Sequence, residues 1–138
     1  MIAKHALLTL FVGAGMVLMI RKYSPEAWGV MQYAGVLLLG CGFILWTIAR
    51  FQLGSSFTVS AQARQLVTRG LYSKIRNPIY VFGSCVIAGM ILVVGYPIAL
   101  LIFLIIIPLQ IWRARKESNV LESAFGEEYR RYKASTWF

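Results

Sequence analysis

Residues 66–80 read LVTRGLYSKIRNPIY, and this is the only long segment of the chain that is neither a plain apolar run nor a charged tail. It contains three cationic side chains, two tyrosines and an Arg-Asn-Pro step. Apolar runs of bilayer-spanning length lie on both sides of it. Because loops held by a rigid scaffold are where binding and catalytic groups concentrate, we expect the chemistry of the chain in this central stretch. Its counterpart is the tail that begins RARKESNVLESAFGEEYRRY, residues 113–132.

The composition indicates an integral membrane protein. Of the 138 residues, 59% are hydrophobic, whereas soluble domains contain about 45–50%. The net charge of +9 would suggest nucleic acid binding in a soluble protein. In a membrane protein it fits the positive-inside bias and anionic headgroups instead. We therefore expect the lipid bilayer as a partner and no nucleic acid.

Several classes of site are disfavoured by the residues that are rare or missing. The sequence has no Asp, and His5 is its only histidine, which argues against a histidine metal site or a Ser-His-Asp triad. Cys41 and Cys85 both fall in apolar runs, so we interpret them as packing residues and not as a disulfide. A small multidrug exporter would need a carboxylate inside a membrane span, and none of the apolar runs contains one.

The apolar runs predict an all-α membrane fold with about four transmembrane helices. The runs cover residues 2–20, 30–49, 79–94 and 98–112, and a hydrocarbon core of roughly 30 Å needs about 20 helical residues. A signal peptide is the rival interpretation of the first run, but no small-x-small cleavage site follows it. We expect one domain over residues 1–138, divided into two N-terminal spans (1–50), a loop (51–78), a helical hairpin (79–112) and a helical tail (113–138).

Small residues predict where the spans approach one another. The first run contains Gly13 and Gly15, and the second contains Gly35, Gly40 and Gly42. Glycine allows helix backbones to come close in a membrane. We therefore expect a glycine-lined face on each of these helices.

The hairpin brings the central stretch and the tail together. A tight turn is predicted at Gly95-Tyr96-Pro97, so both open ends of the hairpin, Pro78 and Trp112, lie on one side of the membrane. The positive charges cluster on the same side, which the positive-inside rule makes cytoplasmic. The tail is predicted to form a cytoplasmic helix interrupted at Gly126.

The two stretches carry an ordered set of short motifs. One known family has the motifs Leu-Val-Thr-x-Gly-x-Tyr and Arg-His-Pro-x-Tyr, then a hairpin, a Glu four residues before a Leu, and Phe-Gly-x-Glu-Tyr, in this order. The matching residues are Leu66, Val67, Thr68, Gly70, Tyr72, Arg76, Asn77, Pro78, Tyr80, Glu117, Leu121, Phe125, Gly126, Glu128 and Tyr129. This set resembles the membrane-embedded methyltransferases, the isoprenylcysteine carboxyl methyltransferase and phospholipid methyltransferase superfamily. The resemblance covers roughly the C-terminal half, and residues 1–50 carry no motif.

The resemblance implies S-adenosylmethionine as methyl donor and a lipid-like or small apolar molecule as acceptor. Its position-by-position analogy assigns Glu117 and Arg113 to the catalytic centre, and Arg113 with Arg76 to the substrate. By the same analogy the cofactor is held by Arg64, Gln65, Leu66, Val67, Tyr72, Asn77, Pro78, Ile79, Tyr80 and Glu117. The acceptor group is left open between a carboxylate, an amine, a thiol and a phenol, and the oligomeric state is left open too.

These side chains suit such a cofactor chemically. Tyrosine rings offer faces to an adenine or to a sulfonium cation, and Glu117 can accept from hydroxyls or an ammonium group. The guanidinium of Arg113 suits a carboxylate or a phosphate. One departure is Asn77, which stands where the family has histidine. It keeps hydrogen-bonding capacity but cannot change charge near neutral pH, so it fits a binding role and not proton transfer.

Other interpretations remain open at this point. Taken singly, the tyrosines are typical of membrane-interface anchors, and Glu117 is typical of a surface ion pair with Arg113. An NADPH-dependent enzyme of the sterol-reductase type shares a helical core and an Arg- and Tyr-rich cofactor loop. A non-catalytic membrane scaffold is a further alternative, since the histidine is replaced and the tail is short.

Overall fold

The computed structural model describes residues 2–54 and 66–138. Within these residues the chain is helical, with a single isolated bridge between Ile75 and Trp137 as the only strand-like pairing. The α-helices are α1 (Ile2–Tyr23), α2 (Val30–Leu53), α3 (Pro78–Val94), α4 (Phe103–Phe125) and α5 (Glu127–Ser135). Short 3-10 helices cover Gly70–Ser73 and Pro97–Ile102. The predicted all-α membrane class is confirmed.

Three segments of the described chain are long and apolar enough to cross a membrane. They are Ala3–Tyr23, Val30–Leu53 and Pro97–Phe125. The fourth predicted span, α3, has 17 residues and rises about 26 Å, a little less than a typical hydrocarbon core. Large apolar side chains along α1, α2 and α4 face outward, as expected where lipid is the solvent.

Glycines set the close packing of α2 against α3. A Cβ on Gly89 would lie 2.5 Å from the Leu39 backbone nitrogen, and one on Gly35 would lie 2.8 Å from the Val93 nitrogen. Gly42 is similarly close to Cys85. Outside the adjoining backbone, no described atom lies within 4 Å of the equivalent position on Gly40 or on Gly15 of α1. The glycine-lined face is therefore correct for Gly35 and Gly42 and wrong for Gly40 and Gly15.

The hairpin turn lies where the sequence predicts it. α3 ends at Gly95, which takes the left-handed conformation at φ 84°, and Pro97 then starts a 3-10 turn that leads into α4. Between the two arms, the Ser84 and Gln110 side chains are hydrogen-bonded at 3.0–3.1 Å. This polar link joins the two largely apolar arms.

α4 runs from the membrane into the tail without a break. It contains Pro108, passes Trp112 and ends only at Phe125, where Gly126 adopts φ 51°. The interruption predicted at Gly126 is confirmed. Because no helix-breaking residue follows Pro108 before Gly126, the first part of the tail is a direct extension of the last membrane helix.

Candidate functional site

The central stretch is anchored to the end of α2. The side-chain oxygen Oε1 of Gln52 accepts a hydrogen bond of 2.8 Å from the Leu71 backbone N–H. Gly70 sits against the same side chain with φ 62°, a conformation that favours glycine. Gln52 is a site residue that the sequence analysis missed, and its only visible signal is an amide at the end of an apolar helix.

The tail is hydrogen-bonded to the central stretch at several points. The Tyr132 hydroxyl donates to the Tyr72 carbonyl at 2.7 Å, and the Arg76 guanidinium donates to the Lys133 carbonyl at 2.9 Å. Beyond α5, the backbone N–H groups of Trp137 and Asn77 donate across the gap to Lys74 and Phe138, each at 3.0 Å. The expectation that the hairpin brings the two stretches together is confirmed.

Two buried tyrosines form the inner wall of this contact. Tyr72 is 5% exposed and Tyr132 is 9% exposed. Burial raises the pKa of Tyr72 well above its ordinary value, with smaller contributions from the nearby Tyr132 and Glu117. Burial, followed by the neighbouring Tyr129, raises the pKa of Tyr132 to about 12. Both phenols therefore stay protonated near neutral pH, and the Tyr132 hydroxyl acts as a hydrogen-bond donor.

Tyr132→Phe is expected to destabilise the protein by about 1–3 kcal/mol. The Tyr72 carbonyl would lose its buried donor, and an unsatisfied buried acceptor carries that order of penalty. The thermal unfolding midpoint in detergent measures the loss. Tyr96→Phe is the matched control, because Tyr96 is 65% exposed. Equal midpoints for the two variants would contradict the role given to Tyr132.

The first turn of α3 meets α4 through a tyrosine and a carboxylate. The Tyr80 hydroxyl donates to Oε1 of Glu117 at 2.5 Å. The guanidinium of Arg113, one turn earlier on α4, lies 5.8 Å from the Tyr80 ring centroid. The ion pairs of the described chain join Arg130 to Glu122 and Glu127. Glu117 is therefore hydrogen-bonded to Tyr80 of α3 and is not in an ion pair with Arg113.

The predicted site residues fall into three groups. Tyr72, Tyr80 and Glu117 come together where the central stretch meets α4. Asn77 is the residue before α3, at φ −122° and ψ 56°, and its side chain caps no backbone N–H of that helix. Of the remaining predicted residues, Leu66, Val67 and Ile79 are half-buried and Pro78 is buried. Arg64 and Gln65 lie outside the described residues.

Two predicted substrate residues stand at different places. Arg113 is exposed at the mouth of the Tyr80–Glu117 contact. Arg76 is half-buried and holds the tail carbonyl of Lys133, so the structure gives it a local binding partner within the chain. The arrangement thus joins two tyrosines and a carboxylate, with the guanidinium of Arg113 beside them.

Comparison with known proteins gives one family. Searches of curated proteins and of solved structures returned no match. The profile of the phospholipid methyltransferase family matches residues 30–128, which includes α2, the hairpin, the contact of Tyr80 with Glu117 and the whole of α4. With its membrane helices and this match over most of its length, the chain belongs to the phospholipid methyltransferase family and is a membrane methyltransferase.

Proposed function

We propose that the protein transfers a methyl group from S-adenosylmethionine to a lipid-like or small apolar acceptor. The observation that carries the proposal is the 2.5 Å contact of Tyr80 with Glu117. It joins the two family motifs that the chain separates by 37 positions, and it places them beside the buried Tyr72. A surface ion pair or a pair of interface anchors would not produce this convergence.

The residues present fit the cofactor. Only one oxygen of Glu117 is engaged by Tyr80, so the other is suited to ribose hydroxyls or an ammonium group. Because the Asn77 amide does not cap α3, it is suited to a polar edge of the ligand. The aromatic faces of Tyr72 and Tyr80 suit adenine or a sulfonium. In the proposal Leu66, Val67, Pro78 and Ile79 supply the apolar walls, and Arg64 and Gln65 belong to the same set.

The protein's own task is alignment and exclusion of water. When bound, the cofactor supplies a methyl group already activated by a sulfonium, so the chain has to hold the acceptor in line with it. Glu117 fixes the cationic side of the site, and Tyr80 orients that carboxylate by donating to it. Arg113 holds a carboxylate or phosphate on the acceptor, with Arg76 as a second cation nearby. The buried tyrosines keep the site dry.

The acceptor is proposed to enter from the bilayer, with the site on the cytoplasmic side. α3 and α4 are embedded just beyond the site, and their outward side chains are apolar, which suits a lipid-like molecule. The cationic residues of the central stretch and of α4 lie on the site's side of the hairpin, and the positive-inside rule orients that side to the cytoplasm.

Sidedness is tested by cysteine labelling. Cysteine placed at Ser73 and at Ser135 should react from the same, cytoplasmic side, since both residues are exposed next to the site. Cysteine at Glu26, in the exposed α1–α2 connection, should react only from the other side. The background carries Cys41→Ser and Cys85→Ser. Labelling of Ser73 and Ser135 variants from opposite sides would contradict the architecture.

Asn77 is expected to bind the cofactor and not to move protons. Asn77→Leu leaves polar groups of the ligand unpaired and should weaken cofactor binding by about 1–3 kcal/mol, whereas Asn77→His should retain or raise affinity. Calorimetric titration with S-adenosylmethionine measures both. Asn119→Leu is the control, because Asn119 is an exposed residue of α4. Unchanged affinity in Asn77→Leu would remove this residue from the site.

The function itself is tested on the purified chain. The protein is extracted in detergent and assayed for co-purified S-adenosylmethionine or its demethylated product, then titrated separately with S-adenosylmethionine and with NADPH. Binding of the methyl donor and transfer of labelled methyl to membrane lipids support the proposal. Binding of NADPH alone would favour the reductase alternative, and binding of neither would favour the scaffold.

A further inference from the structure

A polar cluster lies between α1 and α2. Arg50, near the end of α2, is 4% exposed. Its Nη2 lies 3.4 Å from Nδ1 of His5 on α1, and its guanidinium carbon lies 4.7 Å from the Trp46 ring centroid. An arginine buried to this degree in a membrane protein needs a partner for its charge.

Within the described residues, no carboxylate forms an ion pair with Arg50. α1, α2 and α3 contain no Asp or Glu. Of the acidic side chains on α4 and α5, Glu117 is bonded to Tyr80, and Glu122 and Glu127 are paired with Arg130. Within residues 2–54 and 66–138, Nη1 of Arg50 is buried without a hydrogen-bond partner.

Two threonine hydroxyls near Arg50 are also buried without a hydrogen-bond partner in the described chain. They are Oγ1 of Thr9 on α1 and Oγ1 of Thr47 on α2. α1 and α2 are antiparallel, with Gly13 near Phe43 and His5 near Arg50, so this register places Thr9 opposite Thr47. Three unsatisfied polar atoms thus converge from two helices onto one short section of their contact.

We propose that this cluster of His5, Thr9, Thr47 and Arg50 binds a phosphate ester anion, supplied by the headgroup of a resident membrane phospholipid. An anion neutralises Arg50 and accepts from both hydroxyls, whereas a buried water would satisfy the hydrogen bonds and leave the charge unpaired. The cluster contains none of the residues assigned above to the cofactor or to the acceptor, so the bound lipid is a structural ligand and not the methyl acceptor.

The position of the cluster suits a lipid headgroup. It lies near the start of α1 and near the end of α2, and basic pockets between membrane helices bind such headgroups. A shallow groove of about 510 Å³ beside it is lined by Thr47, Phe51 and Arg69 among others. None of the residues in the apolar window of α1 is buried, so α1 lies lightly on α2 and leaves its outer face to acyl chains.

The test uses the delipidated full chain in detergent and follows its thermal unfolding midpoint. A ligand that binds the folded state raises the midpoint as its concentration increases. Short-chain phosphatidylglycerol should give a saturable rise, and the diacylglycerol with the same chains should not. Inorganic phosphate in a parallel titration separates the sources: a smaller rise supports the lipid, whereas an equal or larger rise assigns the site to free phosphate and overturns the lipid assignment.

Variants locate the effect. Arg50→Gln should weaken phosphatidylglycerol binding about tenfold or more, equivalent to about 1.4 kcal/mol, and Thr47→Val should weaken it more mildly. Arg21→Gln is the matched control, because Arg21 is an exposed cation at the other end of α1. If Arg50→Gln fails to fold, Thr47→Val and Thr9→Val decide the question. The proposal is overturned by an unsaturable or absent rise in the wild type, by equal binding in these variants, or by an equal rise with diacylglycerol. Because the readout is thermal stability, it stands apart from methyl transfer.

Discussion

Replacing Glu117 with glutamine is expected to lower the affinity for S-adenosylmethionine about 10- to 150-fold while the protein still folds. The carboxylate accepts the Tyr80 hydroxyl at 2.5 Å and, in the proposed complex, a charged or hydroxyl donor of the cofactor. A charged hydrogen bond of this kind contributes about 1.5–3 kcal/mol. Glutamine keeps the shape and one acceptor but removes the negative charge.

The matched control for this change is Glu127→Gln. Glu127 lies on the exposed surface of α5 and pairs with Arg130, so its loss should change cofactor affinity little, as for exposed ion pairs generally. Calorimetric titration and the unfolding midpoint are measured for both variants. An affinity loss below about threefold in Glu117→Gln, equivalent to well under 1 kcal/mol, would place Glu117 outside the cofactor site.

Gly89→Ala is expected to destabilise the protein by about 1–3 kcal/mol, the usual range for overpacking a close contact. The added Cβ would fall 2.5 Å from the Leu39 nitrogen and 2.7 Å from its Cα. Both are backbone atoms, so α2 and α3 have to separate. Because α3 carries Asn77 and Tyr80 at its start, the same separation should weaken cofactor binding.

Cys85 provides a direct readout of this contact. It faces Gly42 across the α2–α3 interface and becomes reactive to a thiol dye when the helices part, provided that the exposed Cys41 is first replaced by serine. Gly40→Ala is the matched control, since no described atom lies within 4 Å of its new Cβ. The dye reaction of Cys85 is followed as the temperature is raised. If Gly89→Ala and Gly40→Ala become reactive at a similar temperature, the interface tolerates a methyl group.

The sequence predicted the parts of the fold that depend on chain connectivity. A short turn at Gly95 forces the ends of the hairpin onto one side, and this alone brings the Arg76-Asn77-Pro78 step close to the tail. The rotation of α2 about its own axis could not be predicted in the same way. The middle of α2, residues 34–46, is apolar all round and has no polar face to fix its orientation. The sequence therefore could not distinguish Gly40 from Gly42, and only Gly42 contacts Cys85.

Some residues of the site could likewise be predicted from the sequence and others could not. Tyr80 and Glu117 were predictable because they belong to motifs whose order and spacing identify a family. Gln52 and Tyr132 were not, because each acts through a backbone group far away in sequence, 19 and 60 positions respectively. Such contacts depend on how α2 ends and how α5 folds back after Gly126, and neither angle is encoded in a local pattern.

Because α4 is one continuous helix, a change in the tilt of its membrane part would move the site residues at its other end. Pro108 removes a backbone hydrogen bond inside this helix, so the helix bends most easily there. Glu117 lies nine residues further on, about 13 Å along the axis. A tilt of 10° at Pro108 would therefore swing Glu117 by about 2 Å, enough to part it from Tyr80. Hydrophobic mismatch changes helix tilt, so the rate of methyl transfer should depend on acyl-chain length in reconstituted bilayers, with an optimum where bilayer thickness keeps the Tyr80–Glu117 contact closed.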